Sequence, residues 1–180
     1  MRLMTLAALA LALFAFNGAN AEDVKSGPAD KIGGPFTVKA ITGEKAGTSL
    51  CYVCKFNGEQ RPAVVLIFTQ KADENLVKVV KAVDEVQKGN EKLGTVVVGV
   101  GGVDAADFEK LQTTHKLTTP LTVAEDKDGP EAYKLNKDAA VTVLVYAKGG
   151  KISKNFAFKS SKEAAEKAAD IAAAAKDVIK

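Results

Sequence analysis

Two cysteines three residues apart form the reactive pair of this chain. Cys51 and Cys54 are its only cysteines, and they make a C-x-x-C motif. Two thiols at this spacing can close a small disulfide ring and exchange it with a partner's thiols, or they can share a metal ion. They can also form a purely structural disulfide, although so small a ring constrains the unfolded chain little. This pair is the candidate functional site.

The rest of the sequence offers little support for a metal ion or haem at the cysteines. A closed zinc site needs four ligands, and the chain has one histidine, His115, and no third cysteine. His115 shares a predicted helical face with Phe108 and Leu111, so we assign it no role. Attachment of c-type haem uses histidine directly after the second cysteine, where this chain has Lys55. We therefore predict no cofactor and no metal ion, and keep haem or a metal as the minor alternative.

The first 21 residues predict a secretory signal peptide. Arg2 provides the positive start, residues 3–16 are apolar, and Ala19-Asn20-Ala21 has the small-x-small pattern of a cleavage site. The apolar run is shorter than the ~20 residues that a membrane-spanning helix needs. Cleavage after Ala21 leaves one domain-sized chain, exported to the periplasm or beyond, where a disulfide is stable. We expect no membrane span after cleavage.

Charge and composition argue against a nucleic acid partner. The chain has 25 basic and 22 acidic residues, a formal net charge of +3, and the two signs are interspersed. Arg61 is the only arginine after Arg2, so the side chain that grips phosphate in bidentate fashion is nearly absent. No basic patch of the kind that binds nucleic acid is visible in the sequence.

The order of apolar patterns predicts an α/β sandwich. Residues 22–35 have the composition of a loosely held N-terminal arm, and residues 36–180 form the domain. Ala63 to Phe68 is a continuous apolar run, which predicts a central strand buried on both faces, with the cysteines in the loop before it. Further strands are predicted at 36–41, 94–100, 118–123, 140–146 and 152–158, with helices at 73–88, after Asp104, at 130–135 and from Ser160 to the end. Such an order gives a mixed sheet flanked by helices, parallel where helices cross over and antiparallel at the closing hairpin.

This succession resembles the thioredoxin-like superfamily, in its redoxin and peroxiredoxin branch. Phe36-Thr37-Val38 resembles the family's opening strand, Pro62 to Phe68 the strand that leads to its active site, and Thr119-Pro120-Leu121 a later strand. Residues 143–152 resemble its closing hairpin. The resemblance implies a three-layer sandwich with a central mixed β-sheet and thiol-disulfide chemistry on exported proteins that carry thiols or disulfides.

The sequence departs from that family at the usual active site. The family's reactive cysteine follows the central strand, where this chain reads Thr69-Gln70-Lys71-Ala72-Asp73-Glu74. Peroxiredoxin-type peroxidase activity is therefore not expected. The proline that usually precedes the hairpin strand would fall near Ala140-Val141, and neither residue is proline.

We accordingly predict a cysteine pair near the opposite end of the central strand, without a helix beginning at it and with thiols of ordinary reactivity. Cys51 and Cys54 are then either a thiol-disulfide redox pair or a structural disulfide in a non-catalytic binding module.

Overall fold

The computed structural model describes residues 24–180. The predicted signal peptide, residues 1–21, lies outside the described residues. Within the described part, no helix is both long and apolar enough to cross a bilayer.

Seven strands form one mixed sheet in the order β2-β1-β5-β4-β3-β6-β7. Their bounds are β1 Val38–Ala40, β2 Ser49–Leu50, β3 Ala63–Thr69, β4 Leu93–Gly99, β5 Leu121–Ala124, β6 Val141–Ala147 and β7 Ile152–Phe158. The helices are α1 Tyr52–Gly58, α2 Glu74–Lys88, α3 Ala105–His115, α4 Ser161–Glu166 and α5 Ala168–Ile179, with a 3-10 turn at Glu131–Tyr133. The α/β sandwich with a mixed sheet is confirmed.

Strand β3 lies inside the sheet, and all seven of its residues are buried. It pairs in parallel with β4, from Ala63 opposite Leu93 to Thr69 opposite Gly99, and antiparallel with β6. Its side chains alternate between the two faces, so that Val65 and Ile67 enter one core and Leu66 and Phe68 the other. The sequence prediction of an interior strand covered on both faces is therefore confirmed.

The two faces of the sheet are covered by different elements. The first core packs α2, α3, α4 and α5 against the sheet. The second core is covered by α1, through Tyr52 and Phe56, and by Tyr133 of the 3-10 turn. The cysteine segment therefore packs against the face opposite to the long helices.

Several boundaries differ from the sequence prediction. The first strand is limited to Val38–Ala40, and β2 was not predicted. Strand β6 is an interior strand, because it pairs with both β3 and β7. Gly89, a residue type that often ends a helix in the left-handed conformation, ends α2 in a right-handed one (φ −80°). The final helix is interrupted at Lys167, although Ser160 caps it as predicted by accepting the N–H of Glu163 at 3.2 Å.

The N-terminal arm is held against the hairpin, so the expectation that it is loosely held was wrong. Lys31 and Lys151 form an antiparallel bridge. The N–H of Ile32 donates to the carbonyl of Gly150 at 3.0 Å, and the buried hydroxyl of Ser26 accepts a 2.7 Å hydrogen bond from Thr142. Polar composition alone did not indicate these contacts, because most of them are made by backbone groups.

Candidate functional site

A short helix begins at the cysteines, so the prediction that they lie in a loop was wrong. Cys51 is the N-cap of α1, and its Sγ accepts the backbone N–H of Cys54 at 3.0 Å. The Cys51 sulfur thus takes the place that a serine or aspartate oxygen usually takes at a helix start. The expectation that no helix begins at the cysteines was therefore also wrong.

Helix α1 is held in place by two aromatic side chains one turn apart. Tyr52 and Phe56 are 4% and 5% exposed, and their ring centroids lie 5.6 Å apart. The Phe56 ring packs on Gly94 of β4 so closely that a Cβ at position 94 would lie 2.9 Å from it. The i, i+4 spacing of Tyr52 and Phe56, and of Lys55 and Glu59, is the sequence signal that could have predicted this helix.

Cys51 and Cys54 form a disulfide with a Cα–Cα distance of 5.2 Å. Cys54 is exposed to solvent, whereas Cys51 is only partly exposed. The two residues therefore differ in exposure, and their sulfurs differ in hydrogen bonding, since the Cys51 sulfur accepts the Cys54 N–H.

The disulfide lies near the amino-terminal ends of β3 and β4. Phe56 contacts Gly94, the second residue of β4, and Cys54 shares a cleft with Val64, the second residue of β3. Because β3 has seven residues at about 3.3 Å each, its two ends are separated by about 20 Å. The pair therefore lies far from the segment after β3, residues 69–74, where the resembling family carries its cysteine.

Polar contacts hold Gln70, which lies in this segment after β3. The Gln70 side-chain amide donates to the carbonyls of Lys137 at 2.9 Å and Ala139 at 2.8 Å. A small cavity of about 110 Å³, lined by Gln70, Phe68 and Thr142 among others, lies beside it. This end of the sheet carries no thiol.

The carboxylate of Glu59 pairs with the two cationic side chains that follow the cysteines in sequence, Lys55 and Arg61. Glu59 pairs with the ammonium of Lys55 and, at 2.8 Å, with Nε of Arg61. The hydrogen bonds from Lys55 and then Arg61 lower the pKa of Glu59 below its usual value. Arg61 also donates to the carbonyl oxygens of Glu91 and Leu93, which ties the end of α1 to the start of β4. The positive charges of Lys55 and Arg61 are thus directed at Glu59.

We expect the Glu59→Gln substitution to weaken the fold at neutral pH but not in acid. The pKa of Glu59 is lowered in the folded protein, so its stabilisation is present above the unfolded-state value of about 4.3 and is lost as pH falls through the folded value. The pair is partly exposed, so the effect at pH 7 should not exceed about 1 kcal/mol. Urea unfolding of both proteins at pH 7 and near pH 3 checks this. A difference that persists unchanged in acid would contradict it.

In the reduced protein, we expect Cys51 to form its thiolate at lower pH than Cys54. The sulfur of Cys51 accepts a backbone N–H at the start of a helix, and this interaction favours the charged form. The thiolate absorbance of Cys54→Ser, which retains Cys51, should therefore rise at lower pH than that of Cys51→Ser. Equal midpoints would show that the N-cap contact is absent in the reduced state.

An open cleft of about 390 Å³ borders the disulfide on the side of Cys54. Its walls are the N-terminal arm, α1 and the hairpin turn between β6 and β7, with Ile32, Pro35, Val53 and Val64 as apolar lining. In the hairpin turn, Gly149 and Gly150 have φ of +88° and +84°, values that glycine adopts without strain. This cleft has no signal in the sequence, because the arm that closes it meets the hairpin only in the fold.

The remaining residues considered from the sequence are remote from the disulfide or engaged elsewhere. Nε2 of His115 lies 2.9 Å from Oε1 of Glu74, which joins α3 to the first turn of α2. Among residues 24–180, no group of three or more histidine, cysteine, aspartate or glutamate side chains is placed to hold a metal ion.

Comparison with known proteins gives structural matches but no sequence match. No protein-family model matches the chain, and no curated protein matches it significantly. A secreted thiol-disulfide isomerase from Corynebacterium glutamicum superimposes with a TM-score of 0.60 at 10% identity, over 81% of this chain and 84% of that one. A candidate protein disulfide isomerase from Bacteroides thetaiotaomicron gives a TM-score of 0.58 at 17% identity, over 85% and 95% of the two chains.

A third structure agrees with these two. A candidate thiol:disulfide interchange protein DsbE from Chlorobium tepidum gives a TM-score of 0.55 at 16% identity, over 83% of this chain and 99% of that one. Identities this low establish a shared architecture and not a shared activity. The chain therefore has the thioredoxin-like fold, and it carries its C-x-x-C pair at the end of the sheet opposite to the usual site.

Proposed function

We propose that this protein is an exported thiol-disulfide oxidoreductase that works through Cys51 and Cys54. The observation that carries the proposal is the Cys51–Cys54 disulfide at the start of α1, with Cys54 exposed beside an open cleft. A disulfide that serves only to stiffen the fold needs no exposed sulfur, whereas exchange requires that a partner's thiolate reach one.

The arrangement supports a two-electron exchange with a partner that carries two thiols. A partner thiolate attacks one sulfur of the pair, forming a mixed disulfide and releasing the other sulfur as a thiolate. The partner's second thiolate then attacks its own mixed-disulfide sulfur. The partner leaves as a disulfide, while Cys51 and Cys54 remain as the reduced dithiol. The reverse sequence reduces a partner disulfide.

Export and an extracytoplasmic partner are part of the proposal. The pattern of residues 1–21 supports a cleaved signal peptide, with residues 22–35 as the arm and 36–180 as the domain. The Corynebacterium glutamicum structure is of a secreted protein. In such a compartment the partners would be exported proteins with thiols or disulfides.

A non-catalytic binding module with a structural disulfide is the second candidate. It is favoured by residues 69–74, the segment where the resembling family carries its cysteine, because this segment has no cysteine and its Gln70 donates to two carbonyl groups. In that case the disulfide would only fix the first turn of α1 to its N-cap.

Reduction of insulin by dithiothreitol separates the two candidates. An oxidoreductase should speed the precipitation of insulin chains when added in catalytic amounts, because its dithiol exchanges with insulin and is regenerated by dithiothreitol. The same protein with both thiols alkylated is the control. Equal rates with the native and the alkylated protein would leave the binding module as the better account.

A further inference from the structure

We propose that Cys54 is the sulfur that bonds to the partner, and that the cleft beside it binds a cysteine-containing segment of a partner protein with acidic residues next to that cysteine. This inference rests on the proposed redox function and adds the attacked atom and the substrate class. We refer to this space as the Cys54 cleft, bounded by the arm at 31–35, α1 and the hairpin turn at 148–150.

Exposure and position at the cleft distinguish the two cysteines. Cys54 is exposed and lines the cleft, whereas Cys51 is partly covered and is not among the described residues that line it. Hydrogen bonding also favours attack on Cys54. The Cys51 sulfur accepts the Cys54 N–H, so it is better stabilised than the Cys54 sulfur as a departing thiolate. Since a disulfide opens faster when the leaving sulfur forms a stable thiolate, attack on Cys54 is favoured on both counts.

The exchange step is balanced without a further reactant. The partner's thiolate forms a bond to Sγ of Cys54, and the Sγ–Sγ bond to Cys51 breaks. Cys51 keeps the bonding electron pair as a thiolate, next to the N–H of Cys54. The partner's sulfur is oxidised to the mixed disulfide, and Cys51 is reduced.

The charge of the cleft lining predicts the charge of the partner segment. Lys31 of the arm and Lys148 of the hairpin turn both line the cleft, and both are exposed. Neither makes an ion pair with another residue in 24–180. Among the described residues, no aspartate or glutamate lines the cleft, and the lining Arg61 is already paired with Glu59. An acidic segment would therefore meet two unneutralised cations, whereas a basic segment would be repelled.

The apolar side chains that line the cleft predict an apolar residue in the partner segment. Ile32, Pro35 and Val53 line the cleft next to the buried rings of Phe56 and Tyr146. A volume of about 390 Å³ accommodates a few side chains and not a folded domain. The fitting ligand is an extended segment in which the cysteine has acidic neighbours and at least one apolar neighbour.

Two synthetic peptides test both halves of this inference. Each has one cysteine and one leucine, flanked either by glutamates or by lysines. Oxidised protein is mixed with either peptide thiol at low salt and quenched with a maleimide, and the adducts are located by peptide mass mapping. We expect the peptide on Cys54 and the maleimide on Cys51. The acidic peptide should react about tenfold faster than the basic one, and added salt should reduce this preference.

Charge reversal supplies the matched control. The Lys31→Glu/Lys148→Glu variant should lose or invert the preference. Lys110→Glu/Lys162→Glu changes the net charge equally on exposed positions of α3 and α4, and should retain it. Peptide found on Cys51, or equal rates for both peptides, would overturn this inference while leaving the proposed redox function intact. Failure of both peptides and of glutathione to exchange would overturn the two together.

Discussion

The Cys51→Ser and Cys54→Ser variants should each lose dithiol exchange by at least about a hundredfold, because one sulfur alone cannot both capture a partner and release it. Insulin reduction by dithiothreitol, with each variant in place of the native protein, measures the loss. The two variants should also differ from each other in their reaction with glutathione. Cys51→Ser keeps the exposed Cys54 and should accumulate a stable mixed disulfide with glutathione, because the resolving sulfur is gone.

Loss of folding would not explain such a result. The ring closed by Cys51 and Cys54 is so short that its removal should lower the free energy of unfolding by no more than about 2 kcal/mol. Ser49→Ala, at an exposed residue two positions before Cys51 and outside the cleft lining, is the matched control and should retain exchange. A cysteine variant that keeps full activity would exclude the dithiol mechanism.

Phe56→Ala should lower the free energy of unfolding by about 3–5 kcal/mol, as is usual when a buried phenylalanine is truncated. Phe56 is 5% exposed and packs between Tyr52 and Gly94, so its loss opens a cavity directly beneath α1. Because α1 presents both cysteines, thiol exchange should change as well. Urea unfolding gives the stability, and the rate of glutathione exchange gives the effect on the site.

Two other substitutions separate local from global effects. Phe56→Leu keeps most of the volume and should cost less than about 1.5 kcal/mol. Phe108→Ala removes a fully buried ring from the core on the other face of the sheet. It should destabilise the protein about as much as Phe56→Ala without altering exchange in the folded state. If Phe108→Ala changed exchange as strongly as Phe56→Ala, α1 would not be the element that positions the cysteines.

The sequence predicted the elements whose apolar pattern is long. Residues 63–68 and the helix near 73–88 were found because burial on both faces and helical periodicity each leave a repeated signal. The capping residues Asp104 and Ser160 were also found, since the side chain that makes the contact is close in sequence. The C-x-x-C pair, and its place at the unusual end of the central strand, followed from sequence order alone.

What could not be predicted depends on contacts between distant segments. The i, i+4 pairs of helix α1 span only seven residues, and its burial, which they do not indicate, relies on Gly94, about forty positions later, being able to accept the Phe56 ring. The role of Asp84 could not be predicted either, because its buried carboxylate accepts the backbone N–H groups of Thr118 and Thr119, which are more than thirty positions away. The Cys54 cleft forms only where the arm meets the hairpin, and no pattern in the sequence predicts that these two segments contact each other.

The reduction potential of the Cys51–Cys54 pair tests the central claim most directly. Equilibrating the protein with glutathione buffers of known ratio, and counting free thiols by mass after alkylation, gives the potential. A redox-active pair should fall between about −120 and −270 mV, the range of thiol-disulfide oxidoreductases. A value below about −300 mV, where structural disulfides lie, would contradict the proposed function.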